Sequence, residues 1–350
     1  MNIYIFRPGL LGDSLNMLPV VHIIRKIHPN DDFVLITNKT KKKHHVFAWD
    51  VFKYLPFFKY YISYSKNIID LLKLIIEFRK NKNSYLYILA VRTKRGKKRD
   101  YIFFKYFCNV KNIIGLIESD KKYIRKKNNG FMVKMQKDSE KFIRIVENHY
   151  SKRFERPTPP LLPIPSNIKI KINELLKTTI NNSNYSFLIA MGVSSNRKTT
   201  RWSKDKYLEI INRLISYNAF IFLLGSKNEH QYIQYFVDNA NNKENIINLS
   251  GITSIIESAE LLLNMNLYIG NDTGTSHLAA IMGTPSIIIF SARNSHGIWE
   301  PYGENHIVIR KRISCEGCYL DVCEKMKNKC LDIISIDEVW SSISLKLHLK

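Results

Sequence analysis

The chain opens on an apolar run, NIYIF at 2 to 6, in which apolar and polar positions do not alternate. Runs of the same kind recur at FVLIT (33 to 37), YLYILAV (85 to 91), FLIAMG (187 to 192), AFIFLLG (219 to 225), IINLS (246 to 250), LYIGN (267 to 271) and SIIIF (286 to 290). A strand with one solvated face alternates, whereas one covered on both faces is apolar throughout. Between these runs lie helix-length segments such as SLNMLPVVHIIRKI and IIDLLKLIIEFRK, whose apolar positions repeat with helical spacing. Buried strands alternating with amphipathic helices predict an α/β protein built on parallel sheets with helices on both faces.

Five of the eleven prolines fall in RPTPPLLPIP, residues 156 to 165. Proline fixes its own φ and pushes the preceding residue toward extended backbone, so this stretch reads as a stiff connector. It divides the chain into an N-terminal domain, 1 to 160, and a C-terminal domain, 161 to 350. A length of 350 residues agrees, being more than one core usually serves. The expected architecture is two Rossmann-like, doubly wound domains facing a cleft, with ligands at the carboxyl ends of the strands. The last segment, SIDEVWSSISLKLHLK, has Ser335 and Glu338 spaced as a capping box and reads as an amphipathic helix.

The polar residues concentrate at one corner. In LYIGNDTGTSHLAAIMG a strand is followed by Asp272, Thr273, Gly274, Thr275, Ser276 and His277, and then by an Ala-rich helix expected to start near Thr275 or Ser276 and stop at Gly283. Unpaired N–H groups of a helix's first turn carry about half a positive charge, and glycine lets a ligand approach the backbone. With three hydroxyls and an imidazole beside them, the corner suits a diphosphate. Capping alone also uses Thr, Ser and Asp at such places, and a lone His is commonly an interior residue. A second corner follows the first strand, in FRPGLLGDSLNMLPVV. Neither a G-x-G-x-x-G fingerprint nor a P-loop lysine is present, which excludes those nucleotide signatures and leaves Asp13 as either a helix cap or a general base.

Composition narrows the partners. The formal charge is +24, with clusters at KTKKKHH (39 to 45), RTKRGKKR (92 to 99) and KKYIRKK (121 to 127), all in the first half. Such a field attracts polyanions, which puts an anionic surface or glycolipid, and with it peripheral association with the inner membrane, among the expected partners. No apolar run approaches the length of a bilayer span and the start lacks a signal-peptide pattern, so a cytoplasmic location is expected. Four of the five cysteines, Cys315, Cys318, Cys323 and Cys330, lie within sixteen residues, and Cys108 stands apart. Thiolates at such spacing can hold a structural zinc, although the second tight Cys-x2-Cys of a zinc ribbon is missing; reduced thiols or a local disulfide are the alternatives. A nucleic-acid-binding protein would need basic residues interleaved with aromatics around the metal, and the basic clusters sit in the other domain, so nucleic acid is not expected as a partner.

At LLGDSLNMLPVVHIIRKIHP, MGVSSNRKTTRWSKDKY, LLGSKNE, NLSGITSIIESAELLLNMNLYIGNDTGTSHLAAIMGTPSIIIF and WEPYGENHIVI the sequence resembles glycosyltransferase family 9, the ADP-heptose:lipopolysaccharide heptosyltransferases. The similarity spans most of the chain in order and is weakest from about 40 to 185. It implies a GT-B fold, a nucleotide-sugar donor held by the C-terminal domain, an anionic glycolipid acceptor met by the N-terminal one, and inverting transfer with no catalytic cofactor or metal. Carried over by position, Asp13 is the general base. Ser194 and Ser195 meet the donor phosphates, Glu229 the ribose and Thr253 the adenine. Asp272, Thr273, Gly274 and His277 line the diphosphate and sugar site. The family's lysine two residues before the tryptophan is Thr200 here, so Lys198 and Arg201 are both candidates for the cation that neutralises the diphosphate. A glycosyltransferase using another nucleotide sugar for O-chain or capsule assembly is the alternative reading.

Overall fold

The computed structural model describes every residue except 39–45, 66, 117–126, 129–130, 182, 325 and 350, with backbone alone at 127 and 128. Two of the three basic clusters, 39 to 45 and 121 to 127, therefore lie outside the described residues, side chains included. The chain forms two compact units. The first comprises 1–123, 138–157 and 161–163, and the second 124–137, 158–160 and 164–350. The division falls in the proline-rich stretch, with residues 124–137 as an excursion of the chain into the second unit.

In the first unit the elements run β1 (Asn2–Phe6), α1 (Leu11–Leu15), α2 (Leu18–Ile27), β2 (Asp32–Thr37), α3 (Trp49–Phe52), β3 (Phe58–Ser63), α4 (Ile68–Lys80), β4 (Tyr85–Ile88), α5 (Lys94–Ile102) with a π-helical turn at Phe103–Phe107, and β5 (Asn112–Gly115). A short hairpin, β6 (Lys127–Asn128) and β7 (Phe131–Met132), precedes α6 (Asp138–Tyr150). The first sheet is parallel in the order β3-β2-β1-β4-β5. One of its faces presents Tyr4, Phe6, Val34, Ile36, Leu86 and Ile88 to Leu74 and Phe78 of α4 and to Phe104 and Cys108. Burial pushes the Cys108 thiol up to about 12, so it behaves as a small apolar side chain.

The second unit continues with α7 (Ser166–Ile180), β8 (Phe187–Gly192), α8 (Lys204–Ser216), β9 (Ala219–Leu223), α9 (His230–Asn239), β10 (Ile246–Asn248), α10 (Ile255–Leu263), β11 (Leu267–Asn271), α11 (Gly274–Met282), β12 (Ser286–Phe290), β13 (His306–Arg310), α12 (Lys329–Asp332) and α13 (Ile336–Leu347). Its sheet is parallel in the order β10-β9-β8-β11-β12-β13. Both sheets start in the middle, build outward on one side and then cross back. The reversal falls between β1 and β4 in the first and between β8 and β11 in the second, which is where a doubly wound sheet leaves room for ligands. Among the described residues no helix is long and apolar enough to cross a membrane.

Several expectations shift. The helix read as continuous from Ser14 to Ile27 is two, because Pro19 at the head of α2 has no N–H to continue the ladder. The strand expected over 85–91 stops at Ile88. Strands β3, β5 and β13 carry mixed burial at the sheet edges, so they lack the continuous apolar run that marks a central strand. Helix α13 begins as expected, with Ser335 Oγ accepting from the Glu338 amide at 3.1 Å. Its Val339, Ile343 and Leu347 enter the second unit's core beside Leu214 and Ile289.

Beyond α6 the chain is tied down by a buried carboxylate. Glu147 accepts from Arg153 Nη1 and Arg156 Nη1, both at 2.7 Å, and from the Phe154 amide at 3.1 Å. Burial acts to raise its pKa, but the bonds from Arg156, the Phe154 amide and Arg153 outweigh it and hold the carboxyl at about 2, below the ordinary 4.5. A group depressed in the folded state contributes stability above its unfolded pKa and loses it as pH falls through its folded pKa. The stability gap between the wild type and Glu147→Gln is therefore expected to be full above about pH 5 and to close as pH falls toward 2. Urea unfolding midpoints of the two proteins across that range measure it, and a gap that does not change with pH contradicts the assignment.

Candidate active site

In the second unit the polar corner sits where β8 and β11 end side by side. Asn271, the last residue of β11, is fully buried. Its Nδ2 donates to the carbonyls of Gly192 and Ser194, each at 3.4 Å, and its Oδ1 accepts from the Trp202 amide at 3.0 Å. One side chain thus joins the end of β11 to the loop after β8. The helix starts slightly earlier than expected, with Thr273 as N-cap and Gly274 as first residue, and it ends on Gly283 in the left-handed conformation, φ 84°. Ser276 Oγ accepts from the Thr273 amide at 3.2 Å. A chain of hydroxyls runs from Tyr268 to Thr275 (2.8 Å) to Thr273 (2.9 Å). Burial raises the Tyr268 phenol to about 12, so it remains a neutral hydroxyl.

His277 is buried, with Nε2 3.6 Å from Asp272 Oδ1. Asn294 Nδ2 donates to the other Asp272 oxygen at 3.3 Å, and Arg310 holds the Asn294 carbonyl at 2.8 Å. Ser194 Oγ and His277 Nδ1 are buried without a hydrogen-bond partner. His277 Nδ1 stands in the first turn of α11, and Ser194 Oγ belongs to the loop that Asn271 ties to the end of β11, so both atoms are open to a ligand's hydrogen bonds. At the start of β13, burial and then the charges of Lys137 and His277 push His306 down to about 4.

The other expected residues lie after β8, β9 and β10, at the carboxyl ends of the same sheet. Ser195 Oγ is hydrogen-bonded to Thr200 Oγ1 at 2.7 Å, so Thr200 serves the loop rather than a ligand. Arg201 Nε donates to the Ser195 carbonyl at 2.5 Å and its guanidinium lies 4.5 Å from the Tyr232 ring centre. Lys198 is exposed at the head of the 3-10 turn Lys198–Thr200. Glu229 Oε2 accepts from the Ser226 amide (2.9 Å) and hydroxyl (2.6 Å), which gives it a capping role. Thr253 Oγ1 pairs with Ser258 Oγ at 2.8 Å, leaving the backbone before α10 as its contribution.

Cys315, Cys318, Cys323 and Cys330 form no disulfide and share one neighbourhood, where burial and then the other three thiols raise the pKa of Cys330. Among the described residues, however, no group of three or more His, Cys, Asp or Glu is placed to hold a metal ion. Three of the four lie on irregular turns and Cys330 on the short α12, so their separation in sequence is not converted into a tetrahedral cage.

In the first unit the corresponding corner follows β1. Asp13 stands at the third position of α1, where Oδ2 accepts from the Leu10 amide at 2.9 Å. Arg7, nearly buried, places Nη2 3.0 Å from Asp13 Oδ1 and donates from Nε to the Asp13 carbonyl at 3.0 Å. The loop can fold this tightly because residue 9 is glycine: a Cβ there would sit 2.8 Å from Asp13 Oδ2. Asp13 is therefore both a cap and an oriented, partly exposed carboxylate. Arg7, Tyr268, Asn271, Asn294 and Arg310 are the residues that reading the sequence missed. The available signal was a polar or charged residue at or just beyond the end of an apolar strand, as in NIYIFR, LYIGN and HIVIR.

Two parallel-sheet α/β units with polar side chains gathered at strand ends are the architecture of the GT-B fold, and comparison with known proteins agrees. Residues 161–329 match the family described as glycosyltransferase family 9 (heptosyltransferase). The chain is 22% identical over 341 residues to lipooligosaccharide heptosyltransferase 2 of Campylobacter jejuni subsp. jejuni serotype O:2, covering 97% of this chain and 96% of the relative. The crystal structure of a family 9 glycosyl transferase from Veillonella parvula matches with a TM-score of 0.76 at 16% identity, over 100% of this chain and 98% of that one. The ADP-heptose lps heptosyltransferase II of E. coli matches with a TM-score of 0.68 at 15% identity, over 99% of both chains. The second unit is thus similar to glycosyltransferase family 9, and the protein is a glycosyl-transferring enzyme of heptosyltransferase-like type.

The hydroxyl chain depends on Gly192. A Cβ at that position would sit 2.2 Å from Tyr268 Oη and 2.9 Å from Thr275 Oγ1, and the tyrosine is enclosed on all sides. Gly192→Ala is expected to destabilise the second unit by about 1–3 kcal/mol through overpacking. Chemical denaturation checks this, and a variant within about 0.5 kcal/mol of wild type would show that the corner yields freely.

Proposed function

We propose that this enzyme transfers a heptosyl group from ADP-heptose to a hydroxyl of a lipopolysaccharide core, with inversion at the anomeric carbon and without a catalytic metal. The observation that carries the reading is the pair of buried, unpartnered atoms, Ser194 Oγ and His277 Nδ1, beside the N-terminus of α11. A diphosphate offers acceptors to both the hydroxyl and a protonated imidazole, and the helix dipole favours its charge. The similarity to a lipooligosaccharide heptosyltransferase and to an ADP-heptose lps heptosyltransferase supports the choice of donor and acceptor.

In the proposed reaction the acceptor hydroxyl oxygen bonds to the anomeric carbon as the bond from that carbon to the diphosphate oxygen breaks. The departing ADP keeps the electron pair, and Asp13 accepts the hydroxyl proton. Arg7 at Oδ1 and the Leu10 amide at Oδ2 orient the Asp13 carboxylate before substrate arrives, so little reorganisation is needed as the proton moves. Charge growing on the leaving diphosphate is met by the first-turn amides of α11, by Thr273, Ser194 and His277, and by Lys198. Arg201 holds the Ser195 peptide in place and supplies a fixed positive charge behind it. Glu229 receives the ribose through Oε1, and the backbone at Thr253 meets the base. The reaction is assigned to the cytoplasmic face of the inner membrane, where a lipid-anchored core is at hand.

Asp13→Ala is expected to remain folded and to bind ADP with unchanged affinity, while transfer falls at least about a hundredfold. Near-normal turnover in this variant removes Asp13 from the chemistry. Donor identity is tested separately, by thermal shift with ADP-, UDP-, GDP- and CDP-linked sugars. The largest stabilisation is expected from the adenosine compound, and preference for uridine or guanosine would favour an enzyme of O-chain or capsule assembly.

A further inference from the structure

Helix α4 is apolar on two faces. Leu74 and Phe78 point into the first unit's core, as an amphipathic helix requires. Ile68, Ile69, Leu72 and Ile76 nevertheless form a second stripe on the outer side and are 50 to 70% exposed. Their spacing places them along one line of the helix surface. Beside α4, on the same face of the sheet, lie α5 and the π-helical turn, with the Phe78 and Phe104 rings 5.8 Å apart. There the outward residues are Tyr101, Ile102, Tyr106 and Phe107. A groove on this element is lined by Arg95, Lys98, Arg99, Ile102, Phe103 and Phe107, so cations and aromatic rings occupy one surface.

The charge on this surface is one-sided. Residues 94 to 107 hold six Lys or Arg and one Asp. That Asp100 is buried and takes up Arg92 (2.8 Å), Arg99 (2.7 Å) and the Tyr64 hydroxyl (3.0 Å). The acids of α4 are engaged too: Asp70 accepts from Ser63 and Ser65, and Glu77 from Tyr4, Tyr60 and Asn81. Lys94, Arg95 and Lys98 remain on the exposed rim.

We infer that this face of the first unit docks on an anionic lipid bilayer, with Ile68, Ile69, Leu72 and Ile76 entering the acyl boundary and the cations of α5 meeting lipid headgroups. Apolar side chains on one helix and basic and aromatic ones beside them are what an interfacial site combines, because burial in hydrocarbon and attraction to anionic lipid add. A nucleic acid has no use for an aliphatic stripe, since isoleucine and leucine offer no ring on which a base stacks. A second copy of the chain would set like-charged helices against each other. The inference is independent of which sugar the enzyme carries.

Co-sedimentation of the full chain with sucrose-loaded vesicles tests it without reference to transfer. Binding is expected to vesicles of phosphatidylcholine with phosphatidylglycerol, to weaken as salt is added, and to be slight with phosphatidylcholine alone. Leu72→Gln with Ile76→Gln, both at exposed positions, is expected to weaken binding to the anionic vesicles at least about tenfold with unchanged thermal stability. Lys94→Gln, Arg95→Gln and Lys98→Gln together are expected to weaken it to a similar degree, with Arg99 left in place because Asp100 needs it. Undiminished vesicle binding in either variant overturns the inference, as does equal binding to neutral vesicles. Preferential binding to a single-stranded RNA oligonucleotide, or self-association in place of vesicle binding, also overturns it.

Discussion

The second unit depends on how Asn271 closes the gap between two diverging loops. Beyond β8 the chain leaves toward α8, and beyond β11 it leaves toward α11; a parallel sheet provides no ladder bonds past the strand ends to hold those exits together. A fully buried amide that serves two carbonyls of one loop and the Trp202 amide takes over that role. Trp202 in turn donates from Nε1 to the Ile334 carbonyl at 3.2 Å, which carries the tie to the turn before α13. Because a buried amide must be paired, the arrangement leaves little freedom in where Ser194, Ser195 and the start of α11 stand.

That rigidity permits the opposite condition next to it. Ser194 Oγ and His277 Nδ1 are buried and unpaired, which costs stability in a molecule without ligand. Their neighbours are locked in place: Tyr268 and Thr275 by the hydroxyl chain, Asp272 by Asn294, and Asn294 by the buried Arg310. A site whose donors cannot relax toward each other retains its affinity for an incoming anion. The first unit uses the same device on a smaller scale, with Arg7 and the Leu10 amide fixing both oxygens of Asp13.

Charge follows a similar division of labour. In the first unit Asp100 and Glu147 are buried in internal ion pairs, whereas Lys94, Arg95 and Lys98 stand toward solvent. An excess of positive charge in the composition thus becomes a directed surface feature next to α4, whose outer stripe is apolar.

The central strands were legible because burial on both sides writes itself as unbroken apolar runs, and β1, β8, β11 and β12 begin and end where those runs do. The left-handed stop at Gly283 and the Ser335 cap belong to the same class of local, sequence-determined features, whereas the break at Pro19 was local but not read. The polar corner from Asp272 to His277 was also visible, since its chemistry is contiguous in the chain. Edge strands β3, β5 and β13 were not, because half-exposed strands carry no continuous signature. Only the tertiary structure decided that Asn271 spans to Gly192, that Arg7 holds Asp13, and that Thr200 turns inward to Ser195. It likewise decided which side of α4 faces outward. These are contacts between residues that sequence spacing does not relate, and they are set by where strand order reverses and by which side chains the sheets leave uncovered.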